Sequence, residues 1–170
     1  MSKKTPAEAK LSLADLESFA VRIRAELKVP KQNDVFRVAV EAGYLTALAD
    51  GTVDSAETAT MVRAIEVLSE GAVIEWETDD LLEQCAERAK KDGASTRAES
   101  AGKELKALGQ AEVGLLFAAL VAGASKGIDK KEAEMLKAVG AAAGLAGDAV
   151  KEIVKRANAM RQAGSDRPPA

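Results

Sequence analysis

Apolar residues recur at intervals of three and four along most of the chain, the spacing that places them on one face of an α-helix. No stretch of the sequence shows the sustained alternation of apolar and polar residues that is typical of a half-buried strand. All four prolines lie outside the periodic stretches, at positions 6, 30, 168 and 169. The pattern therefore predicts an all-α protein, a compact bundle of seven to eight helices.

Capping residues and glycines set the expected helix limits, because Ser, Thr, Asp and Asn are favoured before the first turn and Gly after the last. The termini, residues 1–10 and 163–170, are predicted to be disordered, which leaves a single domain over 11–162. The eight predicted helices cover about 12–28, 33–49, 54–69, 78–92, 95–108, 110–124, 129–144 and 148–160.

Two of these helices are apolar on nearly all sides, over residues 35–48 and 113–121. A helix without a polar face has to be surrounded by other helices, so both are predicted to lie in the centre of the bundle. The first of them carries two charges, Arg37 and Glu41. Their i,i+4 spacing predicts that they pair on the one exposed side of this helix.

The composition limits the chemistry that the chain can perform. Histidine is absent and Cys85 is the sole cysteine, which excludes imidazole-based catalysis, most zinc sites and an intrachain disulfide. A metal would have to be a hard cation held by oxygen, namely Ca²⁺, Mg²⁺ or Mn²⁺. Cys85 lies between apolar residues of its helix, Leu82 and Ala89, and is expected to be a small core residue.

Charge and apolar segments also limit the partners. The chain has 24 basic and 27 acidic residues and a net charge of −3, with only five aromatic residues, which argues against nucleic-acid binding. It contains no apolar run of about 18 residues, the length of a transmembrane helix. No apolar segment of a signal peptide follows the basic N-terminus. We expect a cytoplasmic protein without direct membrane insertion.

The sequence contains an internal repeat at an offset of 75 residues. Residues 45–57 read LTALADGTVDSAE, and residues 120–132 read LVAGASKGIDKKE. Each copy joins an apolar helix to an amphipathic one through a turn that ends in Asp-x-x-Glu, a pattern that predicts a capping box. We expect two pseudo-symmetric halves, about 12–94 and 95–160, around the two apolar helices.

The turn of the first copy resembles that of the tellurite-resistance TerB-like family. The resemblance lies in residues 49–57, ADGTVDSAE, and in the repeated all-helical layout over about 33–160. It implies a bundle of about seven helices, an acidic cluster able to bind a divalent cation, and protein partners in a bacterial stress response. It implies no catalytic reaction, so we expect a protein that is not an enzyme and has no organic cofactor.

Carried over by position, the resemblance implies metal ligands in both copies of the repeat. The second copy has Ser and Lys, at positions 125 and 126, where the first copy has Asp-Gly. A helix N-terminus repels cations, so several carboxylates would have to converge there to hold one. Alternatively, these acidic residues serve only as helix caps. The candidate ligands are Asp50, Asp54, Glu57, Asp129 and Glu132.

A second acidic segment, residues 75–80, reads EWETDD and contains the only tryptophan. Thr78 is the predicted cap of the fourth helix, so the segment is interpreted as a loop that leads into an acidic first turn. A tryptophan in an acidic loop is also a candidate anchor for a partner protein. The candidate partner-binding residues are Glu75, Trp76, Glu77 and Asp79.

Three functions are compatible with these observations. The first is a non-catalytic TerB-like module that binds a divalent cation and partner proteins in a bacterial stress response. The second is a purely structural scaffold without metal, whose acidic residues cap helices. The third, a metal-assisted hydrolase, is disfavoured because the sequence offers no nucleophile–base pair.

Overall fold

The computed structural model describes residues 32–68, 75–124 and 127–165, together with the isolated position 17. Within these residues the protein is all-helical, without strands, as predicted. Three predicted segments lie outside this part of the chain: the N-terminal segment 1–10, the helix over 12–28 apart from residue 17, and the last five residues of the predicted disordered tail. The seven described helices are α1 (Gln32–Leu48), α2 (Ser55–Leu68), α3 (Glu75–Asp92), α4 (Ala94–Ala107), α5 (Ala111–Ala122), α6 (Lys130–Ala142) and α7 (Gly147–Ser165).

The helices share one hydrophobic core, in which α1 and α5 make the most extensive contact. α1 also packs against α3, α4 and α6, and α5 also packs against α2, α4, α6 and α7. Residues 113–122 of α5 are all buried, which explains why this helix has no polar side. Phe36 of α1 and Phe117 of α5 are in contact, with ring centroids 5.2 Å apart.

α4 and α6 approach each other closely at Gly102. A Cβ atom at this position would clash with the carbonyl oxygen of Val139 and with the Cβ of Ala142. The absence of a side chain on α4 therefore sets the distance between these helices, because the atoms opposite are mostly backbone. The position of α6 matters for the candidate site, since that site includes its first turn.

α3 begins earlier than the sequence predicted. The helix starts at Glu75, so Thr78 lies inside it and is fully buried, and the interpretation of residues 75–78 as a capped loop is wrong. The macrodipole explains the difference, because acidic side chains are favoured throughout a first turn. α4 likewise begins one residue early, after Gly93 with φ 92°, and the predicted cap Ser95 lies within the helix.

α7 also differs from its predicted limits. Asp148 lies in its first turn and does not precede the helix, which begins at Gly147. The helix continues to Ser165, three residues past the predicted domain end at 162. It packs beside α6, and the two helices border a groove.

Candidate metal centre

α2 and α6 open with the same pattern of hydrogen bonds. At α2, the backbone N–H of Glu57 donates to Asp54 Oδ1 at 2.7 Å, and the N–H of Asp54 donates to Glu57 Oε2 at 3.0 Å. At α6, Asp129 and Glu132 make the equivalent pair of bonds, both at 2.8 Å. The predicted capping boxes are therefore present, and each satisfies two N–H groups that lack a partner within the helix.

A glycine and an apolar residue fix the turn before each box. Gly51 and Gly127 have φ values of 128° and 62°, a region that side chains disfavour. Val53 and Ile128 come directly before the two caps and pack half-buried against the core. This apolar contact anchors each turn on the bundle.

The two turns bring three carboxylates together. Asp50, Asp129 and Glu132 each present one oxygen, and these three oxygens lie within 4.8 Å of one another. Glu132 is buried, with 1% of its surface exposed, whereas Asp50 is half-buried and Asp129 is exposed. Asp50 follows α1 and the other two residues open α6, so the cluster combines residues from both copies of the sequence repeat.

The other two candidate ligands lie outside this cluster. Asp54 and Glu57 form the capping box of α2, and the described residues contain no second acidic cluster of this kind that includes them. The structure thus brings three of the five candidates together. The sequence identified all three but contained no sign that Asp50 would meet the acids of the other copy.

The candidate partner-binding residues lie in the first two turns of α3. Glu77 and Asp79 are exposed on this helix, and the side chains of Glu75 and Trp76 lie outside the described residues. The segment is helical and does not form the predicted loop.

The N-terminus of α6 opposes a cation at the carboxylate cluster. It contributes about half a positive charge, so a cation there would depend on the combined negative charge of the three carboxylates. Three oxygens within 4.8 Å of one another are close enough to share one hard cation after small side-chain adjustments, because ligand oxygens lie at ~2.3–2.6 Å from Ca²⁺ and ~2.0–2.1 Å from Mg²⁺.

A buried ion-pair network was not predicted. Glu41 of α1 is only 5% exposed and accepts hydrogen bonds from Arg88 of α3 at 2.9 Å and from Arg97 of α4 at 2.7 Å. The predicted pairing of Glu41 with Arg37 on an exposed side is wrong, because Arg37 alone is exposed. Local spacing could not have identified the partners, which are 47 and 56 residues away in sequence.

Cys85 is fully buried, as predicted, and lies near this network. Burial, and secondarily the negative charge of Glu41, raise the pKa of the thiol to about 12. A thiol is reactive as the thiolate, so Cys85 is a structural residue at neutral pH.

We expect Cys85 to make the folded state less stable as the pH rises above 9. Its pKa rises from an ordinary 9.0 to about 12 on folding, so in this window the unfolded chain releases a proton that the folded chain keeps. The free energy of unfolding then falls by about 1.4 kcal/mol per pH unit. Urea unfolding of the wild type and of Cys85→Ala at pH 8 and pH 10 measures this contribution. The free energy of unfolding should fall more between these pH values in the wild type than in Cys85→Ala, and an equal fall in both proteins would contradict the prediction.

Comparison with known proteins gives no match: no family model, no curated protein and no solved structure corresponds to this chain. In the described part of the chain, none of the helices combines the length and apolar character needed to span a membrane.

Proposed function

We propose that this protein is a non-catalytic binding module that holds a divalent cation between two helix-opening turns and also binds partner proteins. The observation that carries the proposal is the convergence of Asp50, Asp129 and Glu132 within 4.8 Å. Carboxylates this close repel one another when ionised. A cation among them relieves that repulsion and connects the turn after α1 to the start of α6. The candidate cations are Ca²⁺, Mg²⁺ and Mn²⁺, since all three prefer oxygen ligands.

The cluster supports weak, reversible binding. The three carboxylates, each offering one oxygen, supply at most half of the 6–8 oxygen ligands that Ca²⁺ takes, so water or backbone carbonyls must supply the others. The macrodipole of α6 lowers the affinity further. We therefore expect a dissociation constant on the order of 10⁻⁴–10⁻³ M, within the range of calcium sites that have few charged ligands.

We also propose that the chain is TerB-like and acts in the cytoplasm in a bacterial stress response of the tellurite-resistance type. Its halves, 12–94 and 95–160, would be pseudo-symmetric repeats around α1 and α5. The support for the repeat is the sequence match between residues 45–57 and 120–132, together with the matching capping boxes. The stress role rests on the resemblance in residues 49–57.

Asp129→Asn is expected to abolish cation binding with little loss of stability. Asparagine caps a helix about as well as aspartate, so the turn is kept while one ligand charge is removed. Calorimetric titration of chelator-treated protein with CaCl₂, MgCl₂ and MnCl₂ measures the binding. In the wild type, metal at ten times the dissociation constant should stabilise the fold by about 1.4 kcal/mol, which is visible as a higher melting temperature.

Asp54→Asn is the matched control. It makes the same change in the equivalent capping box but outside the cluster, so cation binding should be unchanged. Loss of binding in Asp54→Asn as well, or normal binding in Asp129→Asn, would contradict the proposed site.

The second candidate function is a structural scaffold without metal. The observation that favours it is the complete capping box formed by Asp129 and Glu132, because capping alone explains both residues. Under this alternative, no heat of binding and no change in melting temperature appear with any of the three metals at millimolar concentration. Asp50→Asn would then also leave the melting temperature unchanged.

A further inference from the structure

A groove of about 610 Å³ lies between α6 and α7. Its apolar lining includes Ala133 of α6 and Val150 and Val154 of α7, which are buried or half-buried. Four exposed lysines border it, with Glu134 as the one acidic residue of the lining. The volume is within the usual range of ligand sites. The basic border contrasts with the net negative charge of the protein. The four lysines are Lys130, Lys137, Lys151 and Lys155.

These lysines have no anionic partner among the described residues. None of the four takes part in an ion pair there, and neither does Glu134 beside them. Four ammonium groups around one groove repel one another, and an anionic ligand would relieve the repulsion. An apolar surface between them excludes a ligand that is only charged, because a purely ionic ligand would leave that surface exposed.

We propose that this groove binds an acidic amphipathic helix of a partner protein. The apolar face of such a helix would cover Ala133 and Val154, and glutamates or aspartates beside that face would pair with the lysines on either side. The lining residues of α7 span 147–159, a distance of roughly 18 Å along a helix, which a partner helix of about 12–14 residues matches. A concave site between two helices suits a helix better than it suits a flat membrane surface.

This inference gives the chemistry of the partner and rests on the partner-binding part of the proposed function. It does not depend on the cation, because the groove residues are separate from the carboxylate cluster. Binding is therefore measured both with calcium and with chelator. A protein that binds the peptide but binds no cation would overturn the metal proposal and leave the groove proposal standing.

The probe is a fluorescein-labelled 14-residue peptide with leucine at positions i, i+3, i+4 and i+7 and glutamate on both sides of the leucine face. Two matched peptides replace glutamate by lysine or leucine by serine. Fluorescence anisotropy with the full chain should show the acidic amphipathic peptide binding at least tenfold tighter than either control peptide. Because surface charges are screened by salt, the affinity should fall as NaCl is raised.

Charge reversal at the groove tests the location. The double variant Lys151→Glu/Lys155→Glu should weaken binding of the acidic peptide at least tenfold. The matched control Lys90→Glu/Lys91→Glu makes the same change at the exposed end of α3, outside the groove lining, and should leave the binding unchanged. Circular dichroism melting of both variants checks that each is folded. Equal binding by the two double variants, or equal binding of the acidic and basic peptides, would overturn the proposal.

Three other occupants are distinguished by separate measurements, and each would overturn the proposal. The first measurement attaches a nitroxide spin label to the variant Ala159→Cys. Broadening of the NMR amide signals of residues 12–28 by this label would place the chain's own N-terminal region in the groove. Dimerisation seen by light scattering and lost in Lys151→Glu/Lys155→Glu would place a second copy there. Binding to phosphatidylglycerol vesicles, lost in the same variant and without peptide binding, would assign the groove to a membrane.

Discussion

Replacement of Glu41 by leucine is expected to lower the free energy of unfolding by about 2–3 kcal/mol, because both arginines lose a charge-assisted hydrogen bond and Arg97 keeps only Asp92, at 3.7 Å. Arg97 is the residue most affected, since its side chain is only 17% exposed and it donates to Glu41 at 2.7 Å. That hydrogen bond raises the pKa of the Arg97 guanidinium, which stays charged after the substitution. Arg88 is 42% exposed and regains water more readily. Equilibrium unfolding in urea measures the loss.

Two further variants separate this effect from a general effect of charge. Glu99→Gln breaks an exposed i,i+4 pair with Lys103 and should change stability very little. The triple variant Glu41→Leu/Arg88→Met/Arg97→Met should recover most of the loss, since apolar residues often replace a buried ion network without cost. A Glu41→Leu protein as stable as the wild type would show that the network is not buried in solution.

The sequence was most informative where the structure depends on neighbouring residues. The starts of α2 and α6 were predicted correctly from Asp54 and Asp129, because a capping box is completed within four residues and needs no distant contact. The continuous apolar run of residues 113–121 likewise predicted a buried helix, and all of it is buried.

The sequence was least informative where distant helices meet. Glu41 is the clearest case: its i,i+4 spacing from Arg37 offered a local partner, yet burial turned it toward α3 and α4. The cluster of Asp50 with Asp129 and Glu132 depends in the same way on how α1 packs against α6. A single sequence contains no direct measure of that packing, so the residues of the site could be named but their meeting could not be predicted.

The position of α6 therefore determines whether the candidate metal centre exists. α6 carries two of the three carboxylates and also one side of the lysine-bordered groove. α4 holds α6 in place through the close approach at Gly102, where a side chain would meet the α6 backbone at Val139. A small change at this contact should thus affect both sites, although Gly102 belongs to neither.

Gly102→Val is expected to lower the free energy of unfolding by about 3 kcal/mol, at the upper end of the overpacking range. The first added carbon would already clash with the carbonyl oxygen of Val139 and with the Cβ of Ala142, so α6 has to move as a unit. Alanine in place of a helical glycine gains about 1 kcal/mol of helix propensity, which offsets part of the cost. Gly102→Ala adds only this first carbon and should therefore lose less than Gly102→Val, and urea unfolding of both variants measures the difference.

Gly114→Ala provides the matched comparison within the same bundle. A Cβ there would meet the end of the Leu105 side chain at 2.5 Å, and a side chain can change rotamer where a backbone cannot. The loss of free energy of unfolding should be smaller than for Gly102→Ala, and a larger loss in Gly114→Ala would contradict a rigid α4–α6 contact.

Because a shifted α6 moves Asp129 and Glu132 away from Asp50, Gly102→Val should also weaken calcium binding while Gly114→Ala leaves it unchanged. Calcium titration of the two folded variants would therefore show whether α4 positions the cluster.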